Sequence, residues 1–199
     1  MKAEQAQLFK YNDMDATHKR YGRTQYGGVG TKNHRKLERP LSTKKWIHLV
    51  LKSDKAVGQL SFLKPAHQIF VRQLLHAKAL KFGVKIADYA NVGNHLHLKI
   101  RITSRESFKK FLKSVTAQIA RKITGARKGK PFGRFWQGLA FTRILTSRLE
   151  EINLKGYIEA NRREASQSKT AREQFLKKFN RWVYKERLKS KGLDNFSTA

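Results

Sequence analysis

Hydrophobic and polar positions along the chain fall into blocks of clearly different period. Residues 1–44 are polar and basic with no sustained period, and they include a glycine-rich stretch, Tyr26-Gly27-Gly28-Val29-Gly30. They predict a basic arm that stays loose until it meets a polyanion. From Lys45 the pattern tightens. Trp46-Ile47-His48-Leu49-Val50-Leu51 is a short apolar run suited to a buried strand. Pro65 suits a first helical position, Ile69, Leu74, Leu75, Ala79 and Phe82 supply a helical stripe, and Gly83 ends it. Val84 to Val92 predicts a second strand, and Gly93-Asn94 a tight turn. His95 to Ile102 then alternates strictly, which predicts a half-exposed strand.

Ser104 is placed to cap a second helix. In it Phe108, Phe111, Leu112, Val115, Ile119 and Ile123 keep the 3.6-residue period up to Gly125. A basic loop, Arg127-Lys128-Gly129-Lys130-Pro131, leads into Arg134–Leu145, read as a fourth strand or hairpin. Ser147 can cap a helix reaching about Ala165, with Leu149, Ile152 and Ile158 as its buried stripe. A basic helix follows from about Thr170 to Lys189. The order βαββαβ plus two helices predicts an α+β fold of the split βαβ (ferredoxin- or RRM-like) kind. Its antiparallel sheet carries helices on one face and leaves the other open. The domain spans 45–165, between the arm of 1–44 and a basic C-terminal helix and tail, 166–199.

Charge then narrows the function. In 199 residues, 44 Lys and Arg oppose 14 Asp and Glu, a formal net charge of +30. Such a surplus repels itself, and a polyanionic partner relieves that repulsion. Nucleic acid suits it best, because basic residues along the whole chain displace counterions from phosphates. A membrane surface would instead ask for one isolated amphipathic helix. With no cysteine, disulfides and thiolate metal sites are excluded. There is no secretory pattern at the N-terminus and no apolar run of membrane-spanning length, so a cytoplasmic protein with no membrane partner is expected.

The candidate chemistry sits on the alternating strand. Period 2 puts Leu96, Leu98, Ile100 and Ile102 against the helices and His95, His97, Lys99 and Arg101 on the other face. Paired neutral imidazoles are good ligands for a divalent metal, although surface histidines on a basic face also suit plain phosphate contacts. His48, on a neighbouring strand, could stand close on either face. On the later helix Tyr157 and Asn161 share one side, a turn apart. A tyrosine there is commonly packing, but it can also attack a phosphodiester. A phenol is mostly protonated at neutral pH, and a metal on the phosphate helps by stabilising the developing negative charge. Asn161 offers an amide oxygen as a third ligand. Trp136 reads first as core, with base stacking as its other use.

Taken together, three segments resemble the single-tyrosine transposases of bacterial insertion sequences and their REP-associated relatives, within the HUH endonucleases. Asn94-His95-Leu96-His97 is similar to that family's Asn-His-apolar-His strand, Phe135-Trp136-Gln137 to its Trp-Gln segment, and Tyr157-Ile158-Glu159-Ala160-Asn161 to its Tyr-Ile-x-x-Asn helix. The resemblance covers about Lys45 to Ala165. It implies that His95, His97 and Asn161 hold Mg²⁺ or Mn²⁺ and that Tyr157 is the nucleophile. It also implies nicking and rejoining of single-stranded, hairpin-bearing DNA through a 5′-phosphotyrosine link, in an enzyme that is monomeric or a homodimer. Where the family often has proline after the asparagine, this chain has Arg162-Arg163, so the helix can continue and the arginines can grip phosphate. Lys99, Arg101 and the loop cations Arg127, Lys128 and Lys130 are the other expected DNA contacts. The alternative is a noncatalytic RNA-binding module on the same sheet face. RNA binding has no need of a histidine pair combined with a tyrosine.

Overall fold

The computed structural model describes residues 24–28, 38–166 and 169–189. The rest of the expected arm, including Val29 and Gly30, and the tail beyond Lys189 lie outside the described residues. Among these described residues five strands and four α-helices follow in the order β1 (Gln25–Tyr26), β2 (Ile47–Lys52), α1 (Pro65–Phe82), β3 (Val84–Asn91), β4 (His95–Ile102), α2 (Arg105–Thr124), β5 (Phe141–Ile144), α3 (Arg148–Ser166) and α4 (Lys169–Lys189). All strand pairs are antiparallel, in the order β1-β5-β2-β4-β3. The α+β class and the split βαβ arrangement are as the periodicity predicts.

Local chemistry sets the ends of the helices. Pro65 opens α1, where its missing N–H costs nothing. Gly83 closes it in the left-handed region, φ 64°, with its N–H on the carbonyls of Ala79 and Leu80. Ser104 caps α2 by accepting from the Ser107 N–H at 3.0 Å. The core lies between the sheet and α1/α2. Ile47, Leu49, Leu96, Leu98 and Ile100 are fully buried from the strands, as are Phe111, Val115 and Ile119 from α2. Each such side chain contributes about 1.5–3 kcal/mol by leaving water.

Four expectations are corrected. Ile69 does not join the α1 stripe: it is half exposed, and the buried side is Val71, Leu74, Leu75 and Ala79. In α3 the fully buried apolar residues are Leu154, Ile158 and Ala160, whereas Leu149 and Ile152 are only partly covered. Only Phe141–Ile144 of the region 134–145 is a strand. The preceding stretch takes loop conformations with Gly133 and Gly138 at φ 82° and 109°, values that no regular strand contains. Finally, Gln25–Tyr26 of the arm pairs with Thr142 and Arg143, so this piece of it belongs to the sheet.

The sheet's second face is partly roofed. Leu154 and Ile158 of α3 pack with Ala90, Leu145, Trp46 and Tyr157 into a small second core on the histidine side. Gly156 of α3 lets the Phe179 ring of α4 lie against the helix, in space that a Cβ would occupy.

Candidate active site on the histidine face

Strand register builds the site. In β2, Ile47, Leu49 and Leu51 point into the core, so His48 and Val50 point the other way. In the pairing with β4, Val50 stands opposite His97, Lys52 opposite His95 and His48 opposite Lys99. The diagonal brings the His48 Nε2 to 3.1 Å from the His97 Nδ1, with the rings stacked at 5.4 Å. His95 meets His97 edge-on at 4.7 Å between ring centroids, and its Nδ1 lies 2.6 Å from the Asn94 Oδ1. From α3, the Tyr157 ring closes on His97 at 5.1 Å and on His48 at 6.4 Å. Of the predicted residues, the structure therefore joins His95, His97 and Tyr157.

Asn161 lies one turn beyond Tyr157 and is buried, its amide nitrogen donating to the Tyr157 carbonyl at 2.8 Å. The helix runs on to Ser166, as the missing proline allows.

Burial keeps the imidazoles neutral. Desolvation pushes His48 down to about 3, and the neighbouring Arg143 charge adds to the effect. His97 is held well below the usual histidine value by desolvation first, then by its two histidine neighbours. His95 is lowered by desolvation and by Lys52. Among the described residues no three His, Asp or Glu side chains gather into a metal-binding group. The two neutral imidazoles of His95 and His97 are nonetheless donors of the kind a divalent transition metal takes. The His97 Nε2 is buried and has no hydrogen-bond partner, and a neutral imidazole presents a lone pair there.

The cations around the site have several settings. Lys99 is nearly covered and bonds Glu151 of α3 at 2.8 Å. Lys99 and Arg101 lie 5.0 and 4.3 Å from the centre of the Trp46 ring. Arg162 bonds Asp88 at 2.6 Å and the Tyr89 carbonyl at 2.9 Å, tying α3 to β3. Arg163 bonds Glu159 and lies over the Phe175 ring. Arg127, Lys128 and Lys130 form an exposed turn closed by a two-way backbone bridge between Arg127 and Lys130. Trp136 packs on the main core with its Nε1 donating to the Thr116 carbonyl, in keeping with its core reading.

The position of His48 was not settled by sequence. The signal was present in its parity with Val50 and Lys52, but it is obscured where both faces of β2 carry apolar residues.

A family described as "Transposase IS200 like" matches residues 42–161, from just before β2 to Asn161. The chain belongs to the IS200-like transposases. This IS200-like transposase shares its fold with a solved REP-associated tyrosine transposase bound to a REP hairpin. Their TM-score is 0.54 at 12% identity, over 68% of this chain and 77% of that one. A Deinococcus radiodurans R1 protein assigned as a transposase aligns at 20% identity over 66% of this chain and 98% of its own, with a TM-score of 0.39. No curated protein sequence matches the IS200-like transposase significantly. None of its described helices is long and apolar enough to cross a membrane.

Proposed function

We propose that this transposase cuts and rejoins single-stranded DNA through Tyr157, with His95 and His97 holding Mg²⁺ or Mn²⁺ and Asn161 as the third protein ligand. The observation that carries the reading is the Tyr157 ring 5.1 Å from His97, whose Nε2 is buried without a partner. Hydrogen bonding at the Nδ1 atoms supports it. Asn94 Oδ1 lies in reach of a proton on the His95 Nδ1, and in the tautomer with the shared proton on the His97 Nδ1, His48 accepts it; the Nε2 lone pair of each ring is then left for a ligand. The metal, when bound, stabilises negative charge on the phosphate oxygens.

In the reaction, the Tyr157 Oη forms a bond to phosphorus while the bond from phosphorus to the 3′-oxygen breaks. The phenol proton is lost to solvent and the leaving 3′-oxygen takes one up, so the products are a 5′-phosphotyrosine and a free 3′-hydroxyl. One phosphoester replaces another, so the reverse attack by a 3′-hydroxyl reseals the strand without ATP. Lys99 and Arg101 continue along β4 from the histidines and suit the strand's neighbouring phosphates. The exposed turn Arg127–Lys130 and the two helix arginines, Arg162 and Arg163, supply further positive charge. A hairpin-bearing strand is the proposed substrate, by likeness to the REP-associated transposase and its hairpin.

The test is covalent capture. Labelled single-stranded hairpin DNAs are mixed with protein and Mn²⁺, then run on a denaturing gel beside Tyr157→Phe and His97→Ala. An adduct that needs metal and is absent from both variants is the expected result. Tight nucleic-acid binding in EDTA with no adduct across a diverse pool would transfer the reading to a noncatalytic binding module.

A further inference from the structure

Beside the histidines the sheet fails to close. β5 begins at Phe141, opposite Val50, but β2 runs two residues further to Lys52. There the Lys52 carbonyl accepts from the Gln137 N–H at 2.9 Å instead of from a strand. Residues 137–140 arch between these two points and leave a cavity of about 420 Å³ under the arch. Its walls are largely apolar: Val50, Phe141, Trp136 and Leu139, with Leu112 from α2. Two polar residues, Gln137 and Lys52, interrupt that lining. The side-chain oxygen of Gln137 is covered and has no hydrogen-bond partner, so a turn of that side chain would offer it to a ligand. The Arg39 side chain is already engaged, donating to the Ala140 carbonyl at 2.7 Å and the Thr142 hydroxyl at 2.8 Å, so it acts as wall.

The cavity shares a boundary with the proposed active site. Val50 lines it and pairs with His97; Lys52 lines it and pairs with His95. Phe141 stands edge-on to His48 at 6.0 Å, and His48 in turn bonds His97. One strand spacing, about 5 Å, separates the two places.

An apolar slot with aromatic sides, an unmet acceptor and a cation describes the complement of a nucleotide: two apolar ring faces, a polar edge bearing N–H groups, and a phosphate. A purely apolar ligand would leave the Gln137 oxygen unpaired, at a cost. We propose that this cavity seats one unpaired base of the DNA strand, next to the phosphate held at His95 and His97. Gln137 Oε1 accepts from the base's exocyclic amine, and Lys52 faces the backbone. The acceptor favours an amino-bearing base over thymine. The inference rests on the strand-cutting reading for its neighbour phosphate, but its test does not need the chemistry.

Binding is measured with the full-length Tyr157→Phe protein in EDTA, by anisotropy of labelled dA, dC and dT 12-mers and an abasic 12-mer. The expected result is dA and dC bound roughly tenfold tighter than dT, the order of discrimination that one side chain–base pair supplies. Gln137→Leu should bring dA and dC to the dT level and leave dT unchanged. Leu139→Trp, at an exposed rim position, should fill the cavity and bring all three to the abasic level, with its melting temperature checked against the parent. Equal affinities for dA, dC and dT, unchanged by Gln137→Leu, would overturn the proposal and leave the cavity to water. An rA 12-mer bound more tightly than dA would overturn its assignment to DNA. If no covalent adduct forms with the unmodified protein but the base ranking holds, the strand-cutting reading fails and the base seat stands. If an adduct forms but the ranking is absent, the base seat fails and strand cutting stands.

Discussion

The His48 Nε2 sits 3.1 Å from the His97 Nδ1, two imidazoles joined nitrogen to nitrogen under the ring of Tyr157. Only one proton can occupy that contact. With it on His97, the His97 Nε2 keeps a lone pair for the proposed metal, and His48 would orient the ring rather than serve as a ligand. His48→Phe should therefore weaken Mn²⁺ binding about 10- to 100-fold, the usual loss when such an orienting partner is removed. His48→Gln, whose side-chain oxygen can accept the same proton, should lose less. Titration of Mn²⁺ followed by electron paramagnetic resonance reads both, and equal loss in the two variants would mean that only packing matters.

Acid should destabilise the metal-free protein through the same pair. His48 stays neutral in the fold down to about 3, whereas in the unfolded chain it takes a proton below about 6.5. The unfolded state thus binds more protons in that window, and stability falls as pH drops from about 6.5 toward 3. The slope approaches about 1.4 kcal/mol per pH unit for each histidine so buried. Urea unfolding at pH 7, 6 and 5 should show the midpoint falling, and His48→Gln should show a shallower fall.

Glu151 holds Lys99 at 2.8 Å, so on the proposed reading it competes with DNA for that cation. Glu151→Gln should tighten single-stranded DNA binding at low salt and steepen its salt dependence by about 0.7 in log–log slope, one extra phosphate contact. Affinity measured between about 50 and 200 mM salt decides it. An unchanged slope would mean that Lys99 does not reach the backbone.

Packing separates two positions that look alike in sequence. Leu98 is fully buried behind the histidine strand and Ile69 is half exposed on α1. Leu98→Ala should cost about 2–5 kcal/mol and Ile69→Ala less than about 1 kcal/mol, both read by denaturant titration.

Elements with local signals were legible in the sequence. Pro65, Gly83, Ser104 and Gly125 punctuate α1 and α2 through the backbone groups of their own neighbours. The alternation of β4 declares both of its faces. What escaped depends on distant partners. Gln25–Tyr26 is a strand only because β5 offers it an edge. Ile69 fits a helical stripe, but the side of α1 that meets the sheet runs through Val71, Leu74 and Leu75. The aromatic run at 135–136 reads as strand, yet the flanking glycines at positive φ turn it into a loop. His95, His97 and Tyr157 were visible as a set, and the structure brings them together. The cavity beside them could not be seen, since it arises where β2 outlasts β5.

One irregularity in β3 fixes where the tyrosine helix rests. Between Ile86 and Asp88 the register with β4 slips: Ile86 pairs with Ile100, and Asp88 with Lys99. Ala87 is thereby extra, and β3 is read in one frame before it and in the other after it. In the second frame Asp88 and Ala90 face α3, where one meets Arg162 and the other the Leu154–Ile158 stripe, while Tyr89 turns to the main core. Deleting Ala87 would leave Asp88 opposite Lys99 and Tyr89 opposite Leu98, each on its present face, whereas a residue added after Asp88 would carry Tyr89 round to the helix and Ala90 to the main core. The placement of Tyr157 over the histidines thus hangs on the odd-or-even count of residues along a neighbouring strand. A single residue inserted between Asp88 and Tyr89 should abolish function even where every side chain of the site is intact, whereas deletion of Ala87 should be tolerated.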